Sequence, residues 1–266
     1  MEPFTHPTLG PLRLGRPEPS PRTHRSLVKR MMLGAFLDKI IPDPPEVLDL
    51  TAGLMDWGMM KNDVEGDCTC ASCGHQLQSY TGAAGRDKIV TVSDDIIEAE
   101  YEAISGFRPG DPSTDNGAYI TDALDYFKNT GLAGHKIQAH APIVLTELRV
   151  RQAMDIFGSL NFGVALPIAC QDYIDGVFDL PADVDVKPFD PNSPWFPGSW
   201  GGHSMASIFY AQDKFLEFVS WGRKWRWTWR AVMFYAQEAH ACIFPAYAKS
   251  SEPVADLVYD LEFVGS

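Results

Sequence analysis

Apolar positions recur at helical spacing through the first half of the chain and at strand spacing through its last third. Ser93, Asp94 and Asp95 precede Ile96, Ile97, Tyr101 and Ile104, which reads as a capped amphipathic helix with acids in its first turn. A turn-rich loop from Asp111 to Gly117 leads into a second helix over residues 118–129. It carries Ile120, Leu124 and Phe127 on one face and stops at Gly131. A third helix is predicted over 145–157 and a short apolar strand over 162–168. Residues 187–201, with four prolines and two glycines, read as an irregular loop. Strands over 204–210 and 215–221 flank a tight turn at Gln212-Asp213-Lys214, and a helix over 229–238 and a last strand over 241–244 follow. Helices first and antiparallel strands later predict an α+β fold: a helical lobe, then an antiparallel β lobe, with a cleft between them.

Charge divides the chain further. The 266 residues are 45% apolar and carry a net charge of −13, a globular composition that disfavours nucleic acid and anionic membrane as partners. Residues 1–30 run the other way, with Arg13, Arg16, Arg22, Arg25, Lys29 and Arg30 against Glu2 and Glu18. Pro11, Pro17, Pro19 and Pro21 prevent a helix in the first part of this stretch. Residues 1–48 therefore read as an extended, basic, Pro-rich arm, either loose or lying along the acidic body or along a neighbouring subunit. The domain spans 49–248, with its lobes meeting near residue 140, and 249–266 form a tail. No apolar run reaches the ~18–20 residues of a membrane span. The first thirty residues lack the apolar core of a secretion signal, which predicts a cytoplasmic or virion-associated protein. Five cysteines argue against a disulfide framework.

Candidate chemistry is densest over residues 62–75. One reading is a metal site of Cys68, Cys70, Cys73 and His75. Four ligands within eight residues fit the usual separated pairs poorly, and on a helix Cys68 and Cys70 point apart, so no metal or other cofactor is expected. The other reading is a nucleophile at a helix start. Gly66 permits a turn, Asp67 serves as N-cap, and Cys68 meets the positive end of the helix, which favours thiolate. Cys70 and Cys73 then lie deeper, as small apolar residues. Such a cysteine needs a base. His203, after Gly201-Gly202 and at the head of a strand, is the candidate, while His75 reads as a packed residue. Trp221, Trp225, Trp227 and Trp229 alternate with Arg223, Lys224, Arg226 and Arg230. A single-stranded nucleic-acid surface can look like this, but packing of the β lobe fits the acidic charge better.

These residues resemble the papain-like cysteine peptidase superfamily. There a cysteine opens the central helix and its histidine lies on a strand of the β lobe about 130–150 residues later; here 203 − 68 = 135. Asn62, six residues before Cys68, stands where the family has its oxyanion-hole glutamine. Asp115-Asn116-Gly117-Ala118-Tyr119 resembles the loop that aligns substrate backbone, and Val219-Ser220-Trp221-Gly222 resembles the tryptophan-bearing strand end. The likeness extends to short papain-fold proteins of bacteriophage and bacterial genomes. The resemblance implies a thiol hydrolase, peptidase or amidase, with Cys68, His203 and Asn62 catalytic, Gly117, Ala118 and Trp221 at the substrate, and a peptide or protein as substrate. Its departures are Val219 at the usual third catalytic position, with Ser220 expected on the opposite strand face, and a missing Cys-Gly-Ser-Cys-Trp run. A rival register makes Cys73 the nucleophile but sets Asp67 at the oxyanion. The alternative function is a catalytically weak or inactive papain-fold structural or adaptor protein, such as a bacteriophage virion component, whose residues 1–48 bind neighbouring subunits.

Overall fold

The computed structural model describes residues 4–6, 10–23, 43–173, 176–182 and 190–245. Strands β1 (Phe4–His6) and β2 (Gly10–Leu12) form a small antiparallel pair at the start, and β3 (Val47–Asp49) joins the main sheet. Three helices follow: α1 (Cys68–Gly82), α2 (Asp94–Ser105) and α3 (Ile120–Asn129). Helix α2 starts after Ser93 and ends at Gly106, whose φ of 75° suits a glycine stop. Both α2 and α3 are amphipathic and bury the predicted Ile97, Tyr101, Ile120, Leu124 and Phe127.

Helix α1 is different: all of its 15 residues are buried, polar ones included. Several of its polar side chains find partners inside, as buried polar groups generally do, although Ser72 Oγ has none. Gln76 donates to the Ser159 carbonyl at 2.9 Å, Ser79 to the Leu50 carbonyl at 3.1 Å, and His75 Nδ1 lies 3.0 Å from Gln78 Oε1. His75 is thus a packed residue, as expected. Cys70 and Cys73 sit in the apolar core that α1 shares with α2 and α3.

The second half forms β4 (Ala139–Pro142), α4 (Glu147–Phe157), β5 (Asn161–Leu166), β6 (Val177–Phe178), β7 (Gly201–Ala211), β8 (Phe215–Ser220), β9 (Arg223–Thr228), α5 (Trp229–Tyr235) and β10 (Ala236–Ile243). The sheet runs β4-β10-β5-β7-β8-β9-β6, with β3 also on β7; among the described strands only the β6–β9 pair is parallel. This is the expected α+β arrangement of a helical lobe followed by an antiparallel lobe. Three details differ. Residues 223–228 form a strand, so the Trp/Arg alternation is a period-2 pattern that buries Trp225 and Trp227 and turns Arg226 outward over the Phe215 ring. The helix predicted over 229–238 ends at Tyr235, because Ala236 onward pairs with β5, and the last strand is correspondingly longer than 241–244. Residues 139–142 are an edge strand on β10.

Among the described residues of the arm, 10–23 lie along the body rather than away from it. Arg22 pairs with Asp125 at 2.7 Å, Arg13 with Asp115, and Arg16 with Glu238 at 2.9 Å. Residues 24–42 and the tail 249–266 fall outside the described residues. No described helix is long and apolar enough to cross a membrane.

Candidate active site

Cys68 is the first residue of α1, as the sequence predicts. Gly66 before it is required by proximity: a Cβ there would come 2.6 Å from Asp115 Oδ1 and 3.2 Å from the Tyr101 hydroxyl. Asp67 occupies the N-cap position but makes no side-chain cap bond, contrary to expectation. Its Oδ1 instead accepts from the Asn62 amide at 3.1 Å, a fully buried contact. Burial, then the nearby Glu65, raises the Asp67 carboxyl well above its usual range, which favours its neutral form.

The strand that carries His203 meets the helix start here. The backbone N–H of Ser204 points at the Cys68 sulfur, and that of Gly15 does so from the arm. Asn161 on β5 accepts from the Ser204 hydroxyl at 2.7 Å and holds this end of β7 in place. His203 is fully buried, with Trp221 stacked on its ring at 4.0 Å and 14°. His203 Nε2 lies 2.7 Å from Ser220 Oγ, while Nδ1 has no hydrogen-bond partner.

That bond corrects the expectation for Ser220. In the β7–β8 register Ala206 faces Val219, so Val219 shares a face with Ala206 and Ile208 and packs there against Trp57. Ser220 falls on the other face, the one His203 uses. The side chain expected to be lost to the far side is the imidazole's partner, and Val219 is structural.

The groove beside Cys68 is filled by the arm. Arg13 N–H donates to the Asn62 carbonyl at 3.2 Å, Ala118 N–H donates to the Gly15 carbonyl at 2.9 Å, and Arg16 N–H donates to the Gly202 carbonyl at 3.3 Å. The arm is thus bonded to the helical lobe on one side and to β7 on the other. The Trp221 indole N–H bridges the carbonyls of Arg13 at 3.3 Å and Asn62 at 3.1 Å. Contact is close enough to exclude side chains: a Cβ on Gly15 would overlap the Gly66 carbonyl, and one on Gly117 would overlap that of Gly15. The structure therefore gathers Cys68, His203, Asn62, Gly117, Ala118 and Trp221 around one stretch of chain, residues 13–16. Sequence reasoning missed Ser220, Gly15, Arg16 and Glu238. The strand register would have pointed to the first, and the run of basic residues between prolines to the arm.

Electrostatics follow from the burial. The Cys68 thiol is pushed up to about 12, mainly by loss of water, with the Ser204 and Gly15 N–H groups and Arg16 opposing. Burial, and then the Arg16 charge, drives His203 well below its ordinary value. The sequence expectation of a thiolate at the helix end is therefore corrected for the arm-docked form, in which burial favours a neutral Cys68 thiol and a neutral His203 imidazole. All five cysteines are free, and among the described residues no group of three His, Cys, Asp or Glu side chains is placed to hold a metal ion.

No protein-family model matches the chain, and no curated protein matches it in sequence. Solved structures match in three dimensions. Xylellain, a cysteine protease from Xylella fastidiosa, superposes with a TM-score of 0.58 over 78% of this chain and 89% of its own, at 12% identity. Digestive procathepsin L 3 of Tenebrio molitor larval midgut gives 0.56 over 76% and 71%, at 11% identity. The procathepsin B S9 of Trypanosoma congolense gives 0.52 over 87% and 82%, at 9% identity. The fold is the papain-like one. At such low identity the likeness carries architecture only, and the chemistry of the papain-like groove rests on the residues in it.

Proposed function

We propose that this chain is a papain-like thiol hydrolase, a peptidase or amidase, held latent by its own N-terminal arm. One observation carries the reading. A cysteine at the start of a buried helix and a histidine with an unpartnered Nδ1 flank a groove that already accommodates a peptide backbone, residues 13–16. The docked arm is a poor substrate. It presents the Gly15 N–H to the sulfur, a donor rather than an electrophile, while its carbonyl is turned to Ala118.

When the arm leaves, water reaches both side chains and the neutral pair can become thiolate and imidazolium. Cys68 Sγ gives its proton to His203 Nδ1 and attacks the carbonyl carbon of a peptide or related amide, laid along Gly117-Ala118. The Cys68 N–H and the Asn62 amide stabilise the oxyanion; Asn62 spends one N–H on Asp67 and keeps its second. His203 then passes the proton to the leaving amine as the C–N bond breaks. The resulting thioester is hydrolysed by water that His203 deprotonates. Ser220 holds the imidazole from behind.

The alternative reading is a catalytically inert papain-fold adaptor, plausibly from a bacteriophage virion, whose arm ties subunits together. It has less support, because residues 10–23 spend their hydrogen bonds and ion pairs within the chain.

The test is alkylation by iodoacetamide at pH 6–7, mapped by mass spectrometry, on wild type and on Gly15→Ala, which cannot seat the arm. Displacing the arm is expected to make Cys68 the fastest of the five thiols. Cleavage of a peptide library follows in the same variant and is lost in Cys68→Ala. Slow and equal alkylation of all five in Gly15→Ala would falsify the catalytic reading.

A further inference from the structure

The side chain of Arg16 leaves the groove and enters a pocket between β5 and β10. Arg16 and Glu238 are both closed off from water, their side chains 1% and 2% exposed. The guanidinium is read by two acceptors: NH1 donates to Glu238 Oε1 at 2.9 Å and NH2 to Gln237 Oε1. The other Glu238 oxygen is fixed by the Thr23 hydroxyl at 2.9 Å and by His240 Nε2 at 2.8 Å. The floor is Gly163 on β5, where a Cβ would come within 2.9 Å of the guanidinium carbon. Burial alone would push the Glu238 carboxyl up, but the bonds from His240 and the Arg16 charge outweigh it and keep the group ionised.

A buried carboxylate, a side-chain amide and a missing Cβ fit a planar fork better than a point charge. With the arm gone, Glu238 is left buried without its cation, a costly state that an incoming guanidinium relieves. The groove and this pocket are continuous, because Arg16 donates its backbone N–H to Gly202 beside His203 while its side chain occupies the pocket.

We propose that this pocket sets the substrate preference of the groove, admitting chains that place an arginine against Glu238. The proposal rests on reading the groove as the substrate cleft, and its binding test needs no catalysis. The full-length Gly15→Ala/Arg16→Ala variant vacates both groove and pocket. Its affinity is measured by fluorescence anisotropy for a labelled peptide of residues 12–17, Leu-Arg-Leu-Gly-Arg-Pro, and for versions with citrulline or lysine in place of the second arginine.

The arginine peptide is expected to bind about tenfold or more tightly than the citrulline one, with lysine between them. Adding Glu238→Gln should shrink that preference to about threefold or less. Gly163→Ala keeps the charge but fills the floor, and is expected to weaken the arginine peptide selectively; it serves as the second variant should the Gln substitution unfold the chain, which thermal melts report. Equal binding of arginine and citrulline peptides, no binding of either, or a preference untouched by both pocket variants overturns the proposal. Repeating the titration on a Cys68→Ala background separates the two ideas. Binding is read on that background and hydrolysis in the variant that keeps Cys68: an arginine preference with no hydrolysis in the latter leaves the pocket standing and removes the hydrolase, whereas hydrolysis there without an arginine preference does the reverse.

Discussion

The hydroxyl of Ser220 lies 2.7 Å from Nε2 of His203, and the indole of Trp221 stacks on the same ring at 4.0 Å. Together they fix the imidazole so that its Nδ1 is the nitrogen left without a hydrogen-bond partner. A hydroxyl both donates and accepts, so it can partner either the neutral ring or the imidazolium. Ser220→Ala, in an arm-displaced background, is therefore expected to lower kcat roughly ten- to a hundredfold with a smaller change in KM. Its stability should fall by no more than about 1–3 kcal/mol, the cost of one lost buried hydrogen bond. Val219→Asn tests the opposite idea, that the position needs an amide. Val219 faces Trp57, Ala206 and Ile208, so the substitution buries an unpaired amide and should destabilise the fold by about 1–3 kcal/mol without raising activity. Restored or enhanced turnover in Val219→Asn would show that this register has been misread.

The proposed latency turns on Gly15. Its Cα approaches the Gly66 backbone so closely that any Cβ would overlap the Gly66 carbonyl, and its own carbonyl crowds Gly117 in the same way. Gly15→Ala and Gly117→Ala remove the fit from opposite sides. Each should accelerate iodoacetamide labelling of Cys68 by about tenfold or more, because a docked state worth ~1.4 kcal/mol or more is lost. Ala118→Pro, which deletes the N–H that meets Gly15, should behave alike. Unchanged labelling in all three would mean that the arm does not gate the thiol.

The positions of Cys68 and His203 in the fold were legible in the sequence because each is announced locally. Gly66 and Asp67 precede a helix start at Cys68, and Gly201-Gly202 precede a strand head at His203. Ser220 was not legible, since its face depends on how β8 registers against β7, and that pair carries an irregularity between Ser207 and Phe209. Val219 was expected at the ring because the family resemblance aligns it with the usual third catalytic position, and one residue along a strand exchanges the two faces. The Trp/Arg alternation of residues 223–228 did carry a period-2 strand signal. Residues 236–240 did not, because pairing with β5 rather than local preference makes them extended. The docking of the arm was the least legible feature. Arg16 meets Glu238 across 222 positions of sequence, and only the folded sheet brings Gly163, Gly202 and Glu238 to one place.

Acid should open the groove. In the docked form burial and Arg16 hold His203 well below its ordinary value, so it stays neutral; once hydrated, it returns toward ~6.5. Below that pH the open form takes up a proton that the docked form cannot, and docking weakens as pH falls. Glu238 acts in the same direction. Burial would raise it, but His240 and Arg16 keep it low in the docked form, so its contribution is present above the ordinary carboxylate range and is lost as pH drops through the lowered value. Exchange protection of the Ala118 and Arg16 amides, corrected for intrinsic rates, reports the docked population. It should fall roughly tenfold from pH 6.5 to 5. Protection that is flat or rises over this range contradicts the linkage.

Glu100 offers a test of the helical core that is independent of the groove. It is buried on α2, neither of its oxygens has a hydrogen-bond partner, and burial, followed by Asp67, raises its carboxyl well above the usual range. The folded state therefore holds a proton that the unfolded chain has released above ~4.3, so stability drains away as pH climbs from there toward the folded value. Glu100→Gln supplies a neutral side chain of the same shape and removes that drain. Near pH 8 the variant should be more stable than wild type by about 1 kcal/mol or more in urea unfolding, and the difference should vanish below about pH 4, where both states of Glu100 are protonated. A variant that is less stable at pH 8 would mean that Glu100 is ionised and paired in solution, which would undo the assignment of a neutral acid behind Cys70.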